Sequence, residues 1–482
     1  MNRRDFLKGT VAATAGLGLS RFARADSASP APLAHAALPK PKASADAMIL
    51  IWLPGGVAQT DTWDPKKHTP YTPGMRGNQM LGTCPRIPTS ADGIFLGKGL
   101  ENLAQQMHHA TVLRSLTNQT KFGAIHLKAQ YYMMTGYLFP SGVKAPSMGA
   151  VVSRTLGRRN PLVPGYIDLC RDINTSDPEL LFINDYQGPG FYGVSYAPFV
   201  IPQPSQGLPT LNAIAGMKMD RLDRRQQYLQ AITGMSQKEL QDAHKVKDYM
   251  KVMEDARAMM DSPVKKAIDF ASDEKPEVIK AYDTGHRFSQ GCLLARRLVE
   301  AGARFVEVEY QYQPFGGFDM HADGRDRMVQ MKNAVDRPIA QLIKELHERG
   351  LLERTLVVIA TEFGRTIANQ PAAGQEPDGF AEKSNGSDLL IENEHMYGFH
   401  GHFSSCNSML FFGGGFKKGF VYGKTNNEHP MLAVENAVEL PDVHATIYKA
   451  MGIAPDTNYV TEGRPFFVTN NGKGKPIDAM LA

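Results

Sequence analysis

Two short polar clusters carry the residue types a metal-assisted reaction needs. The first is Gly316-Gly317-Phe318-Asp319-Met320-His321, a carboxylate and an imidazole two residues apart; the second is Thr361-Glu362-Phe363-Gly364-Arg365-Thr366, a carboxylate followed by a guanidinium. Carboxylate oxygens and imidazole nitrogens are the ligands of choice for a borderline divalent cation, and a guanidinium is matched to a tetrahedral anion. Each cluster ends an apolar run: Arg304 to Val308 leads into the first, and Thr355 to Ala360 into the second. Between them, Arg325 to Arg349 places Met328, Met331, Ala334, Ile339, Leu342, Ile343 and Leu346 at helical spacing and stops at Gly350. That strand, helix, strand order builds parallel sheets, whose ligand sites lie beyond the carboxyl ends of the strands. Both clusters are therefore expected on one edge of an α/β sheet.

The remaining elements supply partners for that edge. Ala47 to Leu53 is a continuous apolar run suited to a central strand, and it passes directly into Pro54-Gly55-Gly56. Beyond the glycine pair, Asp61 and Asp64 are expected to hang over the same edge; Asp64, before Pro65, has a second reading as a turn former. A short helix is expected over Leu100 to His109, a strand over Thr111 to Arg114, and a helix carrying His126, Gln130, Tyr131 and Thr135 that stops at Gly136. His126 and Gln130, four apart, share a face of that helix. Further elements are a helix from Ser147, a strand at Tyr166 to Leu169, a helix over Phe288 to Ala301, a strand at Met409 to Phe412, and a helix over Val443 to Met451 capped by Asp442. Phe182 to Thr210 reads as loop. Residues 211–281 are charged, rich in Met, Gln and Lys, and poor in strand formers, which reads as a helical insertion or cap.

At 482 residues the chain is long enough for a large core, and 42% hydrophobic with 21% charged residues is ordinary for a globular protein. A net charge of +4 and the lack of a basic block argue against a nucleic-acid partner. The N-terminus is distinctive: Arg3-Arg4 precedes a short apolar run from Val11 to Leu19, and Ala23-Arg24-Ala25 is a small-x-small site. That pattern predicts a twin-arginine export signal over residues 1–25, a disordered spacer over 26–46 and a folded domain over 47–482. The mature chain is expected to have no transmembrane segment, and the protein to reach the periplasm or be secreted after meeting the twin-arginine machinery. Cys84, Cys170, Cys292 and Cys406 form no CxxC pair; an oxidising compartment would permit one disulfide, and spacing does not choose it.

Taken together, several motifs resemble the DUF1501 family of exported proteins. They are the export signal, Gly55-Gly56 with Asp61-Thr62-Trp63-Asp64-Pro65-Lys66, His126 with Tyr132 and Thr135-Gly136, Leu294 to Gly302, Gly317 to His321, Glu362 to Thr366, Gly413-Gly414-Gly415 and His444 to Tyr448. They follow the family's order over nearly the whole mature chain. The resemblance implies a three-layer α/β/α fold with a mainly parallel central sheet, alkaline-phosphatase-like or sulfatase-like, and a metal-assisted ester hydrolase ancestry. It further implies metal ligands at Asp319, His321 and His402, with Glu362 where a second metal's Asp stands and Asp61 and Asp64 as candidates for the early carboxylate. Phe363 stands where that superfamily often has His, and Gly401 precedes His402 where the family commonly has Asp. Cys84-Pro85-Arg86 and Cys292 to Arg296 both miss the Cys-x-Pro/Ala-x-Arg pattern, so a formylglycine sulfatase is not expected.

Asp319, His321, Glu362 and His402 offer two imidazoles and two carboxylates, a set that suits Zn²⁺, with Mn²⁺ and Fe²⁺ as alternatives. Arg365 is placed either to grip a tetrahedral anion or to pair with Glu362; His126 is a candidate proton donor or further ligand, or a helix-packing residue. Thr117 and Thr120 precede its helix as hydroxyls without a recognisable motif. The expectation is an exported metal-dependent hydrolase of phosphate or sulfate esters, acting on a small molecule or polymer such as a sugar. The alternative is a catalytically reduced relative that binds a ligand or partner.

Overall fold

The computed structural model describes residues 40–117, 125–139, 143–173, 175–207, isolated positions between 220 and 260, 262–366, 390–398, 401–429, 431–461 and 463–482. The export signal, Thr120, most of 211–281 and the polar stretch 367–389 lie outside the described residues. In chain order the principal elements are β1 (Ala47–Trp52), β2 (Ala110–Leu116), α1 (His126–Thr135), α2 (Met148–Leu156), β3 (Tyr166–Leu169), α3 (Pro178–Tyr186) and β4 (Phe199–Ile201). They continue with α4 (Arg287–Glu300), β5 (Phe305–Glu309), α5 (Gly324–Glu348), β6 (Thr355–Ala360), β7 (Gly364–Thr366), β8 (Gly401–Phe403), β9 (Asn407–Phe412), β10 (Phe420–Tyr422) and α6 (Leu440–Ala450).

Eight of these strands form one sheet in the order β10-β2-β9-β6-β1-β5-β3-β4. All neighbours pair in parallel except at β9, which runs antiparallel to both β2 and β6. At the centre, β1 aligns Ile51 with Val308 of β5 and Ile359 of β6, so three strand ends finish level with one another.

Side-chain alternation explains the layers. Ala47, Ile49 and Ile51 of β1 share a core with Leu293, Leu294 and Leu298 of α4 and with Ile339, Leu342 and Leu346 of α5. The intervening Met48, Leu50 and Trp52 face the opposite core, with Val151 of α2 and Val443 and Ile447 of α6. A strand buried on both faces must be apolar throughout, which is why β1 and β6 are continuous hydrophobic runs. Each fully buried Leu or Ile contributes about 1.5–3 kcal/mol, so these two slabs fix which helices cover which face. The architecture is a three-layer α/β/α fold.

Several boundaries differ from the sequence expectation. The segment 182–210, read as loop, contains the end of α3 and the edge strand β4, which is only three residues long and pairs through Ile167↔Phe199 to Leu169↔Ile201. The last helix begins at Leu440 rather than Val443, because Pro441 fits its first turn; Asp442 is inside that turn, where its carboxylate accepts from Lys475 N, and is not the cap. Of the charged segment, the described helices 263–268, 270–273 and 276–281 lie on the helical layer beside α4. Arg297 ties them down through the carbonyls of Lys266 and Ala267 and the carboxylates of Asp273 and Glu274. All four cysteines are free thiols.

Candidate metal centre

The level ends of β6, β1 and β5 set the geometry. After Trp52 the chain turns at Gly55, whose φ of 115° is open to glycine; a Cβ there would lie 2.5 Å from the Asp319 amide nitrogen. That close approach joins the end of β1 to the loop that follows β5. In the loop, Asp319 N donates to Gly316 O at 2.9 Å and Phe315 N donates to the Asp319 carboxylate Oδ2 at 2.8 Å, fixing the buried carboxylate from both sides. Beyond β6 the chain extends as β7, which pairs antiparallel with β8 and sets Arg365 opposite His402. This ribbon carries His402 back over the sheet edge. His126 enters from another direction, as the first residue of α1.

Four ligand atoms converge here, from His126, Asp319, His321 and His402. Asp319 Oδ1 lies 2.8 Å from His321 Nε2, 3.0 Å from His126 Nε2 and 3.5 Å from His402 Nε2, while the two nitrogens of His126 and His402 are 3.1 Å apart. Arg365 Nη2 also donates to Oδ1, at 2.5 Å. A single carboxylate oxygen has two lone pairs and cannot satisfy four nitrogen donors. Glu362 narrows the arrangement: its Oε1 lies 2.7 Å from His126 Nδ1, so Nδ1 carries a proton, and a neutral His126 would turn its Nε2 lone pair toward Asp319. Two lone pairs facing one another at 3.0 Å need a proton or a cation between them. Ligands about 2.0 Å from a tetrahedral zinc stand about 3.3 Å apart, close to the separations found here. Three imidazoles and one carboxylate thus fit a divalent ion, with Glu362 as the carboxylate that orients a ligating histidine from behind.

Charge in the cluster follows from the same contacts. Burial pushes the Asp319 carboxyl up, but hydrogen bonds from His126, His321 and His402 outweigh it and hold the group well below the usual carboxylate range. Burial disfavours protonated His126, yet its bonds to Asp319 and Glu362 more than offset that and raise its pKa.

The structure distributes the other expected site residues as follows. Glu362 is fully buried and belongs to the shell around His126; besides that histidine it accepts from Gly55 N at 2.8 Å and from Thr361 Oγ1 at 3.0 Å. It is not among the four clustered ligands. Asp61 is not among them either: it ends a short turn beyond β1, where its two carboxylate oxygens accept from Thr83 N and Thr83 Oγ1 at 2.8 and 2.7 Å. Arg365 is turned inward with 0% exposure, its donors reaching the carbonyls of Gly55, Gly56 and Met320 as well as Asp319. These contacts tie the loops after β1 and β5 to each other and to the Asp319 carboxylate. Thr117 donates its hydroxyl to Val438 O at 3.0 Å. Phe363 packs its ring 4.9 Å from His126 and 4.8 Å from His402, closing the inner wall.

The fold sets His126 in the group of possible ligands, one of its three sequence readings, and one signal of that placement was present in the sequence. Gln130, its partner four residues on, also reaches Glu362 Oε1, at 3.5 Å, so the shared helix face is the face turned to the centre.

The family model described as protein of unknown function (DUF1501) matches residues 45–481, and the chain belongs to that family. Residues 1–20 match the twin-arginine translocation signal sequence, which marks the protein for export to the periplasm or beyond. Among the described residues no helix is long and apolar enough to cross a membrane. No curated protein matches the sequence. Solved structures with a similar chain course include the lipoteichoic acid synthase LtaP of Listeria monocytogenes (10% identity, 89% of this chain and 76% of that one, TM-score 0.35). A second is the alkaline phosphatase of the Antarctic bacterium TAB5 (12%, 77% and 92%, TM-score 0.33). A third is the phosphonate monoester hydrolase SpPMH of Silicibacter pomeroyi (11%, 91% and 76%, TM-score 0.34). At such identities their reactions do not transfer to this chain.

Proposed function

We propose that this DUF1501 protein is an exported metal-dependent hydrolase of phosphate or sulfate esters, on a small molecule or on a polymer such as a polysaccharide, without a formylglycine. The observation that carries the reading is the convergence of His126, Asp319, His321 and His402 around one carboxylate oxygen, with Glu362 fixing the tautomer of His126. A divalent cation held there, Zn²⁺ by its donor set with Mn²⁺ and Fe²⁺ as alternatives, would supply a Lewis acid for a phosphoryl or sulfuryl oxygen.

The chain's own residues have separable roles in this reading. Glu362 keeps the proton on His126 Nδ1, so that Nε2 remains a lone-pair donor. Arg365 aims the Asp319 carboxylate, and its bonds to Gly55, Gly56 and Met320 lock the loops after β1 and β5 together. Phe363 on one side and Tyr312, whose ring is 5.2 Å from that of His126, on another exclude water from the inner face. His321 and His402 keep 24% and 19% of their side chains exposed, which leaves the substrate an outer approach. Both nitrogens of His126 are engaged within the centre, so it acts as ligand and not as proton donor.

A second reading, an exported binding or assembly protein, is favoured by two features: Arg365 faces inward, and the hydroxyls of Thr117 and Thr361 are turned to Val438 O and Glu362. Elemental analysis of protein purified without chelator, beside an Asp319→Ala, His321→Ala double variant, separates the two. About one metal per chain, lost in the variant, supports the centre and directs a screen of phosphate and sulfate esters. A folded protein without metal in either form overturns the hydrolase.

A further inference from the structure

Phe315 is 74% exposed although it stands at the centre, its ring 5.2 Å from that of His321. Its backbone is left-handed, with φ 58°, a conformation that costs a residue bearing a Cβ. What the fold uses here is the backbone: Phe315 N donates to Asp319 Oδ2, and Phe315 O accepts from Arg327 Nη2 at 3.0 Å. Glycine would make both contacts without strain, and the chain places glycines at the next two positions, Gly316 and Gly317. The phenyl ring thus opposes stability twice, through strain and through apolar surface left in water. Of the exposed large apolar side chains among the described residues, it is the one in ring contact with a member of the ligand group.

We infer that Phe315 is a stacking platform at the mouth of the centre, and that its subsite takes a ring with an apolar face, aryl or pyranose, carried on the alcohol side of the ester. The inference rests on the ester-hydrolase reading and narrows its substrate class. His321 and Phe315 lie side by side on the open face, so an ester whose acid group is held at the ligands projects its alcohol over the phenyl ring. A flat aromatic surface favours a ring laid on it or against its edge, and gives a methyl or ethyl group little.

The test uses the full metal-loaded protein, wild type and Phe315→Ala, with Phe315→Leu as a variant that keeps apolar bulk but loses the flat ring. Calorimetry measures affinity for phenyl, pyranosyl and methyl phosphonates and sulfonates, which are not hydrolysed. The expected result is tighter binding of ring probes by wild type, a loss of about tenfold for those probes in both variants, methyl probes unchanged within twofold, and unchanged metal content. Whether phenyl or pyranosyl probes bind more tightly names the ring. Equal losses for ring and methyl probes, unchanged ring binding, or no binding of any probe by wild type would overturn the subsite. Turnover of the matching esters is read separately, so a protein that holds its ring probes but hydrolyses nothing sinks the hydrolase reading and leaves the platform.

Discussion

Glutamine in place of Glu362 tests the centre with the smallest change of shape. Wild-type Oε1 accepts from Gly55 N and His126 Nδ1, while Oε2 accepts from Thr361 Oγ1. In Glu362→Gln the amide oxygen can keep the first pair of donors, with its NH₂ turned to the threonine hydroxyl, which is able to accept. Geometry is thereby preserved and the negative charge behind His126 is lost. The imidazole becomes a poorer donor to a cation, and changes of this kind typically weaken metal binding by about 10–100-fold, which is about 1.4–2.7 kcal/mol. A competition titration against a chromophoric chelator at fixed pH measures the shift directly. Affinity within twofold of wild type, in a variant that folds, would refute the argument that Glu362 sets the donor state of His126.

Two further outcomes follow from buried groups. Arg365→Ala strips the Asp319 carboxylate of its buried cation and leaves three backbone carbonyls without their donor, so unfolding in urea should show a loss of about 3–5 kcal/mol together with reduced metal content. A side chain that only gripped substrate would instead leave stability unchanged and raise KM. His444 is buried on α6, its Nε2 donating to Met133 O at 2.9 Å, and burial lowers its pKa from 6.5 to about 4. Between those values the unfolded chain holds the proton and the folded chain does not; the group's stabilising contribution is complete above pH 6.5 and is lost as pH falls toward 4. His444→Gln should flatten the fall in stability between pH 7 and pH 5 by about 2 kcal/mol, measured by urea unfolding at both values. An unchanged pH profile would show that His444 does not titrate with unfolding.

The framework of the fold was readable because its central strands and long helices obey a single period. The continuous apolar runs at 47–53 and 355–360 are β1 and β6 to within a residue, and the helical spacing from Met328 to Leu346 is α5. Strand direction was not readable: β9 is as apolar as its neighbours, and its reversed course follows from the β7–β8 ribbon that delivers the chain to the site end of the sheet. At the centre, residue types identified carboxylates and imidazoles but not which of them cluster. Glu362 and His126 are 236 residues apart, and only their packing shows that the first stands behind the second. Asp61 carries the right chemistry at the end of the right strand, yet the turn that holds it buries its carboxylate against Thr83. Arg365 was open to two readings, an anion grip or a pairing with Glu362, because nothing in a sequence marks which way a guanidinium faces.

The span between His126 and His402 is 276 residues, and the ligands between them hang from different strand ends. A centre gathered over such separations cannot assemble from any local piece of chain: it exists only once β1, β5 and β6 are in register and the β7–β8 ribbon has closed. Closing loops of this length costs chain entropy before the contacts repay it, and folds rich in such contacts form slowly. In the metal-centre reading, a full complement of four ligands would therefore report a finished molecule, and retention of an ion would distinguish completed chains from those arrested with the sheet half built.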